Sequence, residues 1–183
     1  MNPLGSASRL ARGTSALLVL AIATSCATYN ATHPRSPSAA FREYQSTTLG
    51  RLFEPAAAEH PGESGVLYMR YGSKALVARL ALADLAERSL DLQYYIWDAD
   101  ISGHLLADRI VRAADRGVHV RVLLDDHGIT GRDAEIAQLS AHPNIEVRAF
   151  NPFRNRRNPL SDFLTDPSRA NRRSHNKLMV ADN

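Results

Sequence analysis

The sequence predicts an α/β fold with a mostly parallel sheet flanked by helices. Two observations support this prediction. Between residues 65 and 150, short apolar segments that alternate at period two are separated each time by one helical segment. Single-helix connections imply right-handed crossovers between parallel strands. Of the 183 residues, 44% are hydrophobic, which is enough to form a buried core.

The first predicted elements are a strand, a helix and a second strand. The segment GVLYMRY, residues 65–71, is a short strand candidate, and a helix follows over 73–89 with Ser73 as its N-cap. The segment LDLQYYIW, residues 90–97, is predicted as a strand, and its aromatic residues are assigned to the core and the sheet face. Its apolar face comprises Leu90, Leu92, Tyr94 and Ile96.

The next segments repeat the same alternation. A second helix is predicted from a cap at Ser102 to Gly117, because glycine suits the left-handed C-cap position. A strand follows over 118–126, then a helix over 133–143 and a strand over 144–150. The face of the strand over 118–126 that is predicted to be buried comprises Val118, Val120, Val122 and Leu124.

The last third of the chain is less regular. Residues 151–173 form a predicted loop rich in Asn, Pro and Arg, and an apolar strand follows over 175–182. Ligands of open α/β sheets bind at the carboxyl ends of strands, where this loop and the DDHG turn are expected to lie. In that turn, Asp125 and Asp126 are predicted to cap and hydrogen-bond loops rather than to bind metal, and His127 is assigned to the loop surface.

The final strand contains the pattern H-x-K-x-x-x-x-D, formed by His175, Lys177 and Asp182. Side chains alternate along a strand, so the histidine and the lysine share one face. A histidine can act as a nucleophile or a proton donor, and an adjacent ammonium neutralises the anion that it attacks. A phosphodiester fits this pair best. Asp182 is expected at the far end of the strand, where it can bind a lysine or a backbone group.

The segment HNKLMVAD resembles the signature of the phospholipase D superfamily. Upstream, LDLQYYIWDADISGHLLADRIVRAADRGVHVRVLLDDHG, NPFR and DFLTDPSRANRRSHNKLMVAD look like the cardiolipin-synthase branch, so the resemblance covers about residues 65–183. It implies chemistry without a metal or cofactor: one histidine attacks phosphorus to form a phosphohistidine, and a second protonates the leaving alcohol. It assigns His175 as nucleophile or acid, Lys177 as phosphate ligand and Asp182 as supporting carboxylate.

Proteins of this architecture have two such motifs, whereas this sequence has one. The resemblance therefore implies that residues 65–183 are the first lobe, truncated after its catalytic strand. A second motif would come from a missing C-terminal part or from a partner chain. We expect the chain by itself not to turn over substrate. Its unpaired strand edge is expected to promote aggregation or dimerisation.

The N-terminus predicts export. Arg9 and Arg12 precede an apolar run at 15–23 that is too short to span a bilayer. Cys26 is the only cysteine, which excludes an internal disulfide, and its position resembles the lipidated cysteine of bacterial lipoproteins. Ordinary cleavage nearby, for instance after Ala27, is the alternative, and a retained cytoplasmic tail comes last.

Residues 27–64 are predicted to be a tether, because Pro, Ser, Thr and Ala dominate and hydrophobic periodicity is weak. Such a tether lets a lipid-anchored domain lie close to the membrane surface, while the tether itself does not pack. We therefore expect a lipid-anchored protein that faces the periplasm, with the membrane surface as a partner.

Arginines are concentrated in the segment that leads into the motif, at positions 154, 156, 157, 169, 172 and 173. A solvated loop is the plain interpretation. Guanidinium groups also bind phosphate bidentately and attract anionic lipid surfaces. Arg172 and Arg173 lie nearest to the motif and are the predicted substrate ligands.

The leading functional hypothesis is phosphatidyl transfer, such as cardiolipin synthesis, or phospholipase D hydrolysis of a phospholipid. A nuclease is the first alternative. The net charge of +3 and the lack of a basic stripe with interleaved aromatic residues argue against nucleic acid. The second alternative is an inactive remnant that only binds phosphate or lipid headgroups.

Overall fold

The computed structural model describes residues 39–183. The predicted export signal, Cys26 and residues 27–38 of the predicted tether lie outside the described residues. Within residues 39–183, no helix combines the length and the apolar composition needed to cross a bilayer.

Six helices and four strands make up the described part of the chain. The helices are α1 Thr48–Glu59, α2 Gly72–Leu85, α3 Ile101–Asp115, α4 Asp133–Ser140, α5 Pro159–Thr165 and α6 Pro167–Ala170. The strands are β1 Ser89–Tyr94, β2 His119–Asp125, β3 Ile145–Phe150 and β4 Lys177–Ala181. Single 3-10 turns cover Tyr44–Ser46 and Asp126–Ile129.

The four strands form one sheet in the order β3-β2-β1-β4. β1 pairs with β2 and β2 with β3 in parallel, whereas β4 pairs with β1 in antiparallel orientation. The predicted α/β fold with a mostly parallel sheet is confirmed. In the β1–β4 register Lys177 lies opposite Tyr94 and Ala181 opposite Leu90, so β4 begins where β1 ends.

One face of the sheet carries the core. Most of the predicted inward positions of β1 and β2 are buried there, and helices α2, α3 and α4 supply side chains to the same cluster. Ile96, which was predicted on the same face, lies beyond the end of β1 and is 50% exposed. Burying these side chains is the main driving force for folding, at about 1.5–3 kcal/mol for each fully buried aliphatic residue. The strand members with 0–3% exposure are Leu90, Leu92, Val120, Val122 and Leu124.

Helices α2, α3 and α4 occur where the sequence predicts them, but two predicted caps are wrong. Helix α2 begins at Gly72, so Ser73 is already its second residue and no side chain caps the helix. Helix α3 is capped by Asp100, whose carboxylate accepts a backbone N–H of the first turn at 2.8 Å. Ser102 instead donates to that carboxylate at 2.7 Å. The predicted left-handed position at Gly117 is confirmed by its φ of +94°.

The strand predicted over residues 65–71 is absent. Residues 63–70 are irregular, and Val66 and Tyr68 are 91% and 85% exposed. A β-rich sequence becomes a strand only when another strand satisfies its backbone groups. No backbone hydrogen bond in the described part of the chain joins this segment to the sheet.

The expected lack of packing in the tether is wrong for residues 44–59, which contain α1. Thr47 caps this helix through its hydroxyl and is fully buried, and Leu49 is 6% exposed. The carboxylate of Glu87 accepts hydrogen bonds from the Thr48 hydroxyl at 2.5 Å and its N–H at 3.2 Å. Threonine is a common N-cap residue, so Thr47 was a local signal for the start of this helix. The prediction of a tether rested on composition and did not use it.

The predicted loop over residues 151–173 contains the short helices α5 and α6. Each begins with a proline, Pro159 and Pro167, at the first helical position, where the missing N–H is not needed. The prolines that suggested irregular structure therefore mark helix starts.

Candidate active site

His175 and Lys177 lie at the carboxyl edge of the sheet. β4 begins at Lys177, beside Tyr94 at the end of β1, and His175 precedes the strand by two residues rather than lying on it. Both motif side chains are exposed to solvent. The sequence predicted ligand binding at this edge, and the structure places the histidine and the lysine of the motif there.

The ring of Tyr95 lies against both motif side chains. Its centroid is 4.2 Å from that of the His175 ring, at an interplanar angle of 37°, and 5.6 Å from Lys177 Nζ. Lys177 Nζ also donates to the His175 carbonyl oxygen at 3.1 Å. Within residues 39–183 no carboxylate pairs with Lys177. Its ammonium can therefore bind an external anion.

The DDHG turn also contacts Tyr95, through the ring of His127. The His127 ring is stacked with the Tyr95 ring at 6.2 Å and 19°, and it contacts Phe153 edge-on at 6.1 Å. At Gly128 a Cβ would lie 1.9 Å from the Tyr95 carbonyl oxygen, so only glycine permits this approach. His127 was predicted to lie on the loop surface. Its contact with Tyr95 could not be predicted, because no local sequence pattern indicates it.

Asp125 is a buried acceptor, 1% exposed, at the end of β2. Its carboxylate accepts from the backbone N–H groups of His127 at 2.9 Å and Ser174 at 2.8 Å, and from Arg173 Nη1 at 3.1 Å. The neighbouring Asp126 accepts the backbone N–H of Phe153 at 2.8 Å. The predicted loop-bonding role of both aspartates is confirmed.

Arg173, a predicted substrate ligand, is largely engaged within the protein. Its side chain is 6% exposed, lies 4.3 Å from the centroid of the Phe153 ring and donates through Nε to the Ala170 carbonyl. Nη2 is buried and has no hydrogen-bond partner among the described residues. Arg172, the other predicted ligand, is exposed. Their binding of substrate stays a prediction.

The other arginines of this segment differ in their pairing. Arg169 lies 2.6 Å from the buried Asp162, and Arg156 lies 2.9 Å from Asp126. Arg154 is 3.7 Å from Asp166. Much of the positive charge of the segment is therefore compensated by aspartates.

Asp182, the last motif residue, lies at the opposite end of the sheet from His175. It is 2% exposed and adopts φ +56°. Its carboxylate accepts the backbone N–H groups of Glu87, Arg88 and Ser89 at 2.8–3.1 Å. Of the two partners that the sequence allowed, a lysine or a backbone group, the structure shows the backbone.

A cavity of about 440 Å³ lies between the N-terminal ends of α2 and α3, beside the end of β1. Its walls include the apolar side chains of Leu76, Trp97 and Leu106 and the guanidinium-bearing Arg79. Burial raises the pKa of the Tyr94 hydroxyl in this wall, and the nearby Arg79 guanidinium opposes part of that rise. The cavity can accept a ligand group that is mostly apolar.

Residues 80–183 match the family described as "Cardiolipin synthase, PLD-like domain". The match covers more than half of the chain and includes the whole sheet and the motif. The chain belongs to this family.

The chain is also similar in sequence to curated proteins of other bacteria. The chain is 47% identical over 128 residues to cardiolipin synthase C of Escherichia coli strain K12, covering 70% of this chain and 27% of that protein. It is 39% identical over 140 residues to an uncharacterized protein of Helicobacter pylori strain J99, covering 75% and 28%. The chain thus spans about a quarter of the length of these curated relatives.

Among solved structures, the chain is similar to Nuc from Salmonella typhimurium, a phospholipase D family member. The TM-score is 0.40 at 24% identity, covering 58% of this chain and 56% of that one. NucT from Helicobacter pylori gives a TM-score of 0.38 at 22% identity, covering 43% and 47%.

Metal binding at this PLD-like site was not expected from the sequence. In the part of the chain that the structure describes, no group of three or more His, Cys, Asp or Glu side chains is arranged to bind a metal ion.

Proposed function

We propose that this protein catalyses phosphatidyl transfer from a phospholipid, to an alcohol or to water, through a phosphohistidine at His175. The observation that carries the proposal is the pairing of an exposed His175 with an ammonium that has no carboxylate partner in the described residues. Membership of the PLD-like cardiolipin synthase family supports phospholipid phosphodiester chemistry in general.

In the proposed reaction, an imidazole nitrogen of His175 attacks phosphorus and forms an N–P bond. The P–O bond to the leaving alcohol breaks, and a second histidine gives that alcohol a proton. Lys177 neutralises the negative charge on the phosphoryl oxygens. The proton donor would come from a second motif, in a partner chain or in another part of the protein.

The apolar cavity beside Tyr94 supports a lipid rather than a purely polar substrate. Tyr94 lies opposite Lys177 in the β1–β4 register, so the cavity borders the end of the sheet where the phosphate would bind. We infer that it receives the glyceryl part or the first acyl carbons of the lipid. The N-terminal sequence predicts that the protein is exported and attached to a membrane by a lipid anchor. Such an attachment would bring the site close to this substrate.

The experiment that tests the proposal is the capture of the intermediate. The protein, assembled with the part or the partner chain that carries the second motif, is mixed with vesicles of phosphatidylglycerol, denatured at neutral pH and digested, and its histidine peptides are analysed by mass spectrometry. We expect a phosphatidyl adduct on the peptide that contains His175, and its loss in His175→Ala. His119→Ala is the matched control, because His119 is an exposed histidine at the amino end of β2.

The products distinguish the remaining alternatives. Cardiolipin or another transferred lipid shows that an alcohol outcompetes water, whereas phosphatidic acid alone shows hydrolysis. The proposal would be contradicted if the unmodified protein formed no adduct and if His175→Ala still bound the vesicles. These two results together would favour a remnant that only binds headgroups.

A further inference from the structure

We propose that Asp125 is a positioning residue for His175. Asp125 lies at the carboxyl end of β2 and is 1% exposed, and both of its carboxylate oxygens accept hydrogen bonds. Oδ2 accepts the backbone N–H of Ser174 at 2.8 Å. Oδ1 accepts from Arg173 Nη1 at 3.1 Å and from the His127 N–H at 2.9 Å. The role of the residue in catalysis rests on the proposed function.

The first consequence concerns the backbone that enters β4. Ser174 directly precedes His175, so the bond to Asp125 fixes the peptide unit between Arg173 and Ser174, one residue before the histidine. Arg173 is fixed by the same carboxylate and also donates to the carbonyl oxygens of Ala170 at 2.7 Å and Asn151 at 3.1 Å. The chain before His175 is thereby attached to β2 and to the loop after β3.

The second consequence concerns the ring that His175 contacts. Asp125 also binds the N–H of His127, whose ring is stacked with Tyr95. Tyr95 is in turn 4.2 Å from the His175 ring. One buried carboxylate therefore fixes the backbone directly before His175 and also a residue, His127, that packs on the aromatic neighbour of His175. A displacement of about 1 Å at a reacting group can reduce a rate about 100-fold, which is why such attachments matter to catalysis.

Asp162 offers a matched control in the same part of the chain. It is 2% exposed and accepts one backbone N–H, from Arg154 at 2.7 Å, and one arginine, Arg169 at 2.6 Å, whereas Asp125 accepts two backbone N–H groups and one arginine. It makes no hydrogen bond with residues 173–175. Asp162→Asn should therefore remove a buried negative charge of the same kind, with one hydrogen bond fewer involved, without moving His175.

The structural test uses NMR of this chain and needs no turnover. Ring current from Tyr95 should shift the His175 ring protons upfield, and the Ser174 amide should exchange roughly 100-fold more slowly than in a free peptide. We expect Asp125→Asn to abolish the upfield shift and Asp162→Asn to retain it. A retained shift in Asp125→Asn, or an equal loss in both variants, overturns the proposal. Should Asp125→Asn fail to fold, fast exchange of the Ser174 amide in the unmodified chain overturns it instead.

The kinetic test uses the protein in its active form on phospholipid vesicles. We expect Asp125→Asn to lower kcat roughly 10- to 100-fold while KM changes less than about threefold, because alignment rather than binding is lost. Asp162→Asn should keep kcat near the unmodified value. Equal kcat values in the two variants contradict the proposal. The unmodified protein can also show the upfield shift and the slow Ser174 amide but no activity on any phospholipid. That result would refute the proposed function and would leave the positioning of His175 supported.

Discussion

At the scale of single residues, Tyr95 shows how one side chain can position motif residues that lie far away in the sequence. It follows the last residue of β1, yet its ring contacts His175 and Lys177, which lie 80 and 82 positions later in the chain. An aromatic face attracts a nearby ammonium and packs well against an imidazole ring. Tyr95 therefore restricts the positions that both motif side chains can take.

This contact predicts that Tyr95→Ala lowers kcat roughly tenfold or more, because the His175 ring loses the surface against which it packs. Tyr95→Phe should stay within about twofold of the unmodified protein, since the ring is kept and the hydroxyl makes no hydrogen bond among the described residues. Steady-state kinetics with phospholipid vesicles measures both variants. Tyr71→Ala, at a 57% exposed tyrosine before α2, is the control. Equal kcat for Tyr95→Ala and the control would refute the role of the ring.

Arg173 illustrates the opposite case, a predicted ligand that is used inside the protein. Its ion pair with Asp125 and its contact with Phe153 leave only Nη2 without a partner in the described residues. An arginine this buried stabilises the loop whether or not a phosphate is bound. Loss of activity in an Arg173 variant would therefore not by itself show substrate binding.

Among the structural elements, β4 depends on Asp182 for its attachment. The strand lies at the edge of the sheet and pairs only with β1. The Asp182 carboxylate binds three consecutive N–H groups, those of Glu87, Arg88 and Ser89, where the chain enters β1. These bonds fix the register that brings Lys177 opposite Tyr94.

We expect Asp182→Ala to lower the free energy of unfolding by about 3 kcal/mol, because it leaves buried N–H groups without an acceptor. Urea unfolding followed by circular dichroism measures this change. The control is Asp98→Ala, at an aspartate whose side chain is 64% exposed and pairs only with Arg132, and it should cost less than about 1 kcal/mol. Similar losses in the two variants would show that Asp182 does not anchor the strand.

Helix α1 is attached to the rest of the domain by a contact that depends on pH. The hydrogen bond from the Thr48 hydroxyl is the largest cause that lowers the pKa of Glu87 below its ordinary value of 4.5. A carboxylate with a lowered pKa stabilises the folded state above its ordinary value, and this stabilisation is lost as the pH falls through the pKa of the folded state.

Acidification below about pH 4.5 should therefore weaken the contact between α1 and Glu87 while the sheet stays folded. NMR signals of the Leu49 methyl groups and the Gly50 amide, followed from pH 6 to pH 3, report this step. In Glu87→Gln the same signals should no longer change in this range. An unchanged titration in the variant would mean that another acid controls the helix.

At the scale of the whole molecule, one hydrophobic cluster connects the sheet with α2, α3 and α4. The other face of the sheet carries ion pairs between neighbouring strands, such as Asp91 with Arg121, and the half-exposed Leu178. The described residues thus have a single core on one side of the sheet, and Trp97 packs at its margin.

A single core predicts cooperative unfolding of the domain. Fluorescence of Trp97, the only tryptophan, and far-ultraviolet circular dichroism should give the same midpoint in urea within error. Substitution of a fully buried core residue, as in Ile110→Ala, should move both midpoints together and cost about 2–5 kcal/mol. Separate midpoints would show that the tryptophan region and the sheet unfold independently.

The sequence alone determined the fold class, the approximate positions of all four strands of the sheet, and the motif. Period-two burial in 118–126 and helical segments of good propensity are local properties, so they can be read from neighbouring residues. The same locality explains the wrong strand over 65–71, because β propensity is visible in the sequence and the absence of a partner strand is not.

The tertiary structure alone decided what supports the motif. Asp125 binds Ser174 across 49 positions, and Asp182 binds Ser89 across 93. Tyr95 contacts His175 across a similar separation. Contacts of this kind have no signature in a sequence window, because they exist only after packing of the core has fixed the order and register of the strands.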